Sequence, residues 1–305
     1  MFPPCAPFFG RWHSRGAGKP APLLLMGVPT LEAVGTAVST LAVARRPRAF
    51  VRVAGPDACD YLQRMLSNDV AAVDVGESCE ALLLTAKARV IAPMVVVRRG
   101  KEDFLLLTEP ELGERLRAEL LRMRFAAKAE IEAEEHESHL RLGPGAEPED
   151  GALSLPTSDY GVPGWEIVGS FAPAGAQELS EDELEALRIR AGTPRWGREI
   201  DDRVLPAEAG LVERAASLTK GCYPGQEPIA RLHYRGHANR GLRVLAVDDE
   251  LPEPDAELRH GEKAVGRVTS AVATPDGIVA LAYVRAEVPP DAELALGSRS
   301  ARPLH

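Results

Sequence analysis

The sequence predicts an α+β fold followed by a small all-β module, and three observations predict it. Between residues 49 and 131 the pattern runs strand, helix, hairpin, strand, helix, strand, which is not the steady βα alternation of a doubly wound sheet. No glycine-rich loop stands between a strand and a helix, which argues against an ordinary dinucleotide or P-loop site. From Leu242 onward, short strands alternate with turns.

The elements follow in order. Residues 1–25 carry Arg11, Arg15 and Lys19 and no acid, and the apolar run at 23–28 is too short for a signal-peptide core. They read as a disordered leader, with a misassigned start ahead of Met26 as the alternative. Ala49-Phe-Val-Arg-Val53 alternates and reads as a strand. Gly55-Pro-Asp57 opens a helix in which Tyr61, Leu62, Met65 and Leu66 share one face. Residues 82–84 and 90–97 pair about Lys87-Ala-Arg89, and 103–107 form the next strand. Thr108-Glu-Pro-Glu111 reads as a capping box before a helix with Leu112, Leu116 and Leu120 on its inner stripe, and a strand near 129–131 closes the unit. Residues 143–151 are a turn-rich, acidic connector, and 165–168 read as a strand. Ser180-Glu-Asp-Glu183 is a second capping box, starting a helix through Leu184, Leu187 and Arg188 that Gly192 and Pro194 end. Strands at 242–247, 263–270 and 278–284 place a boundary near Arg240. The expected organisation is a leader at 1–25, a main region at 26–240 with an internal break near 143–151, and a β module at 241–305.

Composition bounds the function. A chain of 305 residues with 45% apolar and 27% charged residues suits about two globular domains. The net charge of −9 argues against broad binding to nucleic acid, while leaving room for a local basic pocket for a small anion. The four cysteines, Cys5, Cys59, Cys79 and Cys222, form no Cys-x-x-Cys pair and match no zinc spacing, so no metal site is expected. A reducing, cytoplasmic setting is the simplest reading. The most apolar stretch, residues 81–97, is broken by Lys87 and Arg89, so no membrane span is expected.

One segment concentrates chemistry: Lys220-Gly-Cys-Tyr-Pro-Gly-Gln-Glu227, followed by Pro228-Ile-Ala-Arg231. Proline is tolerated in a helix only in its first turn, so a helix is expected from about Gly225 to about Tyr234, ended by Gly236. Cys222 then precedes a helix N-terminus and stands two residues from Lys220, and both a positive dipole end and an ammonium favour a thiolate. A lone cysteine is more often a small buried hydrophobe, and spacing alone supplies no base for this one.

The octapeptide resembles the signature of the YgfZ family of folate-binding proteins, relatives of the glycine-cleavage T-protein, an aminomethyltransferase. The likeness extends to Arg52-Val-Ala-Gly-Pro-Asp57, Leu66-Ser-Asn-Asp-Val70, Leu187-Arg-Ile-Arg-Ala-Gly-Thr-Pro-Arg-Trp-Gly-Arg-Glu-Ile200 and Leu205-Pro-Ala-Glu-Ala-Gly-Leu211. It covers roughly residues 48–284. The resemblance implies two α+β subdomains and a C-terminal β-barrel around a central channel that holds tetrahydrofolate. It also implies a folate-dependent role in assembling or repairing iron–sulfur proteins, with the signature cysteine most tied to function. One departure stands out. T-proteins hold the pterin ring with a glutamate of a Gly-Tyr-Thr-Gly-Glu segment; aligned on Glu166, that position here is Val162. No equivalent of the T-protein catalytic aspartate is found.

The candidate catalytic residues are therefore Cys222 and Lys220, and the candidate folate contacts are Arg188, Tyr223, Gln226, Glu227, Arg231 and Trp196. Arg188 and Arg231 suit a carboxylate tail, or else ion pairs with local acids. Gln226 and Glu227 suit helix capping equally well. Trp196 reads as core, in a segment that faces the channel in relatives. Cys59 and Cys79 read as packing residues. Three functions stay open: a folate-binding accessory protein for client iron–sulfur proteins, a tetrahydrofolate-dependent one-carbon transferase, and a noncatalytic interaction module.

Overall fold

The structure is a computed structural model that describes residues 38–170 and 175–304. The leader expected over 1–25, with Cys5, lies outside the described residues. Strands β1 (Ala42–Arg45) and β2 (Ala49–Ala54) follow one another across Arg46-Pro-Arg48, yet they enter different sheets. Helix α1 (Ala58–Met65), β3 (Ser78–Leu84), β4 (Val90–Gly100), β5 (Asp103–Thr108), α2 (Gly113–Met123) and β6 (Glu130–Glu134) complete the first unit. Its sheet is antiparallel in the order β3-β4-β5-β2-β6. Helices α1 and α2 cover one face, where Leu62 and Leu66 meet Phe104, Leu106, Leu116 and Leu120. The two-residue period sends Leu105 and Leu107 to the opposite face. Each such leucine, fully buried, contributes about 1.5–3 kcal/mol.

That opposite face is covered by a second sheet. It is built from β7 (Ser138–Leu142), β8 (Leu153–Thr157), β9 (Gly164–Val168), β10 (Gln177–Glu178) and the early strand β1, in the order β10-β1-β7-β9-β8. Phe50, Val97, Leu105 and Leu107 of the first sheet pack there against Leu155 and Val168. The turn-rich stretch at 143–151 therefore lies between strands of one sheet, because β7 pairs antiparallel with β9 across it, rather than marking a break between subdomains. Its acids and glycines serve a surface turn.

Helix α3 (Glu181–Arg190) carries the expected capping box: Ser180 accepts from the Glu183 N–H and Glu183 accepts from the Ser180 N–H. The box expected at Thr108-Glu-Pro-Glu111 does not form. Glu109 opens a short 3₁₀ turn with no side-chain cap, its carboxylate being drawn to Arg46, and the Thr108 hydroxyl donates to the Pro93 carbonyl. A buried charge pair outcompetes a cap there. Short helices α4 (Val212–Ala215) and α5 (Gln226–Arg235) lead into β11 (Arg240–Val247), β12 (Glu257–His260), β13 (Lys263–Thr274), β14 (Gly277–Arg285), β15 (Leu294–Leu296) and β16 (Arg299–Pro303). These six strands close a barrel. Ala186 and Ile189 of α3 pack on its wall against Val272, Val279 and Leu281. Among the described residues, no helix is long and apolar enough to cross a membrane, and no cluster of His, Cys, Asp and Glu could hold a metal ion.

Candidate functional site: a charged cavity with the cysteine motif behind its wall

Both sheets, α3 and barrel strand β13 wall a cavity of about 1180 Å³. The two-arginine link between β1 and β2 supplies its charged floor. Arg48 forks onto Glu166 with two bonds of 2.9 Å, and Ser138 Oγ donates to the same carboxylate at 3.2 Å. Arg46 forks onto Glu109 at 2.6 and 3.1 Å. Burial by itself pushes both carboxyl groups up; the Arg48 guanidinium at Glu166 and the Arg46 guanidinium at Glu109 overcome this and hold both below the ordinary carboxylate range. On another side, Arg214 of α4 binds Glu80 of β3 at 2.6 Å and also Asp159. Tyr160, largely buried, stands in the field of Arg46 and Arg48. A carboxylate has about four lone-pair sites, so a forked arginine leaves acceptor capacity for ligand N–H groups.

Arg188 and Trp196 line this cavity. The Arg188 side chain is committed within the protein. Nε and Nη2 donate to Glu185 at 2.9 and 2.7 Å, Nη1 to Glu199 at 2.9 Å and to the Thr193 carbonyl at 2.5 Å, and Nη2 to Ser270 Oγ at 2.9 Å. That uses the five donors of a guanidinium. The fully buried Glu199 receives Ser270 Oγ at 2.7 Å and the Arg195 N–H at 3.0 Å as well. A bulge in β13 between Val268 and Ser270 presents Ser270 to this network. Arg188 thus fixes the barrel against α3 and shapes the cavity wall. Trp196 is partly buried, with the Arg115 guanidinium 5.4 Å from its ring centroid.

The other candidates lie elsewhere: among the described residues none of positions 220–227, nor Arg231, lines the cavity. Tyr223 is their link to it. It belongs to one buried cluster with Leu82, Ile200, Leu211 and Ala215, which line the cavity. Its hydroxyl is buried without a partner among the described residues, and burial pushes it up to about 12. A bend over residues 218–221 turns Lys220 inward, where Nζ donates to the carbonyls of Leu66 at 2.7 Å and Asn68 at 2.6 Å and stands 5.1 Å from the Tyr223 ring centroid. Burial lowers the Lys220 amine from the ordinary 10.5 to about 8. The two-residue spacing suggests that Lys220 tunes Cys222; in the fold its ammonium donates to those carbonyls, and its charge also acts on the Cys79 thiol. Cys222 itself is exposed.

Gln226 donates to the Lys220 carbonyl at 3.3 Å and ties the loop to α5. Glu227 sits exposed in the first turn of α5, and Arg231 is exposed one turn on. Gly225, with φ +83°, lets the loop reach the β3–β4 turn, since a Cβ there would lie 2.8 Å from the Thr85 carbonyl oxygen. Sequence reasoning missed Arg46, Arg48, Glu109 and Arg214. A signal existed for the first two: the run Arg45-Arg-Pro-Arg48 in an acidic chain.

No protein-family model matches the sequence. The tRNA-modifying protein YgfZ of Edwardsiella ictaluri is 29% identical over 280 residues, covering 80% of this chain and 84% of that protein. An aminomethyltransferase of Bacillus pumilus is 22% identical over 269 residues, covering 74% of this chain and 73% of that protein. The crystal structure of glycine cleavage system aminomethyltransferase T from Bartonella henselae superposes with a TM-score of 0.76 at 21% identity, covering 88% of this chain and 85% of that one.

Proposed function

We propose, from its likeness to the YgfZ proteins and the aminomethyltransferases, that this chain is a folate-binding accessory protein. It would support the assembly or repair of client iron–sulfur proteins in the cytoplasm, with tetrahydrofolate in the cavity and Cys222 as its functional thiol. The observation that carries the folate part is the cavity itself. It is of the right order for a drug-sized ligand, and its polar groups converge from several elements. The residues present fit a folate. Glu166 and Glu109 are ionised acceptors for the N–H donors of a pterin. Trp196 offers an aromatic face, and Arg195, which makes one 3.3 Å ion pair with Glu185, offers charge to a carboxylate tail. Bound folate supplies one-carbon chemistry. The chain's own residues bind and orient it, and Glu166 and Glu109 favour positive charge near them. Arg188 acts by positioning the wall, Tyr223 joins that wall to the motif, Lys220 and Gln226 hold the loop, and Glu227 and Arg231 stand exposed on α5, the helix that follows Cys222.

Two experiments test this. Titration calorimetry with tetrahydrofolate should give saturable binding that Glu166→Gln weakens about tenfold; no heat from the folded wild type would sink the folate part. Cys222→Ser should fail to restore the activity of iron–sulfur enzymes in cells lacking the native copy, and full restoration would sink the thiol part. The paired carboxylates also favour a second reading, a one-carbon transferase, because such an enzyme needs acids beside the folate. Retained transfer in Cys222→Ser and its loss in Glu166→Gln would select that reading.

A further inference from the structure

The arginines of this chain are mostly matched by acids or carbonyls, as the cavity shows, but α5 is an exception. Residues 228–247 contain four arginines, two histidines and no acid, in a chain whose net charge is −9; exposed Glu227, one turn ahead of Arg231 on the same outward face, is the one acid of α5. Arg240 pairs with Glu208, and Arg243 donates to the carbonyls of Val288 and Pro289. Arg231 and Arg235 make no hydrogen bond or ion pair with the described residues, and both are exposed. At 100° per residue, buried Ile229 and half-buried Leu232 face the protein, while Arg231 and Tyr234 face away, with Arg235 at their border. Tyr234 is 67% exposed and its ring meets His233 edge-on. Exposed Cys222 lies in the loop four residues ahead of the first residue of that helix.

We propose that the outer face of α5, centred on Arg231, Tyr234 and Arg235, docks an acidic surface of a partner protein and brings it to Cys222. The proposal rests on the reading of Cys222 as a functional thiol. Two free guanidiniums one turn apart beside an amphipathic ring match the pairing of carboxylates with arginine and the enrichment of Tyr and Arg at interfaces. Charge complementarity is what selects the occupant. A long polyanion such as RNA needs many phosphate contacts, and beyond this face it would meet a net acidic molecule. A local acidic protein face needs only the patch.

The test uses fluorescence anisotropy of a short labelled peptide of alternating Glu and Ala, without cysteine, at low salt with the full chain. The double reversal Arg231→Glu with Arg235→Glu should weaken binding about tenfold or more, and added salt should weaken wild-type binding. Lys101→Glu with Lys128→Glu, which changes net charge equally at exposed positions elsewhere, should change it about twofold at most. Equal weakening by both pairs, no binding by the wild type, or tighter binding of a single-stranded RNA oligonucleotide than of the peptide would each overturn the proposal. Cys222→Ser should leave peptide binding intact, so failure of the thiol reading in cells and failure of docking here are separate results.

Discussion

The cavity and the outer face of α5 use the same residue, arginine, in opposite ways. In the cavity Arg46, Arg48, Arg188 and Arg214 are each forked or bridged to carboxylates. On α5 Arg231 and Arg235 stand exposed without partners among the described residues. Burial explains the difference. A guanidinium out of water must find acids, and once it does the pair becomes a rigid part of the wall. A guanidinium in water need not, and stays available. The motif loop stands between these regimes, with Lys220 and Tyr223 turned into the protein and Cys222 left outside.

The comparison can be broken most severely at Glu199. Glu199→Ala leaves part of the Arg188 charge unmatched in the interior, and the expected loss is about 3 kcal/mol in urea-induced unfolding; a near-neutral result would mean the buried network is dispensable. Next comes the seam between the regions. Gly225→Ala must hold a positive φ and push against Thr85 and Ala88, with an expected cost of about 2 kcal/mol by the same measurement.

Lys220 gives a smaller, pH-dependent effect. Its folded amine titrates near 8 against 10.5 in the unfolded chain. Between those values the unfolded chain binds more protons, so stability rises with pH through that window and the penalty is fully present below it. Relative to Lys220→Met, wild-type stability should rise by about 1 kcal/mol between these limits, after allowance for solvent screening. The smallest change is expected outside. Cys222→Ser should shift stability by about 0.5 kcal/mol or less, yet lower by one the number of thiols labelled in the fast phase by a thiol reagent. Cys79, pushed up to about 11 by burial, should label slowly.

Much of the fold was legible in the chain. The alternation at residues 49–53, the Leu112, Leu116 and Leu120 stripe, the Ser180–Glu183 box and the helix after Gly225 all rest on local periodicity and capping, which act over a few residues. What escaped was long-range. Strand β1 is four residues long and joins a sheet whose other strands come nearly a hundred residues later. No local pattern assigns it there, nor shows the connector at 143–151 to lie inside that sheet. The site divides the same way. Lys220, Cys222 and Tyr223 were visible because they adjoin one another, whereas Arg48 and Glu166 are 118 residues apart and become a site only when two sheets meet.

By itself the sequence determined the four longer helices and most strands, the C-terminal β module, and the position of the one cysteine segment dense in chemistry, because periodicity, caps and glycine placement are local. Only the tertiary structure decided that Lys220 faces in while Cys222 faces out, that Arg188 uses its donors within the protein, and that the cavity is floored by Arg46, Arg48, Glu109 and Glu166. Those outcomes depend on which charges lose water together, and desolvation is set by the whole packing rather than by neighbours in the chain.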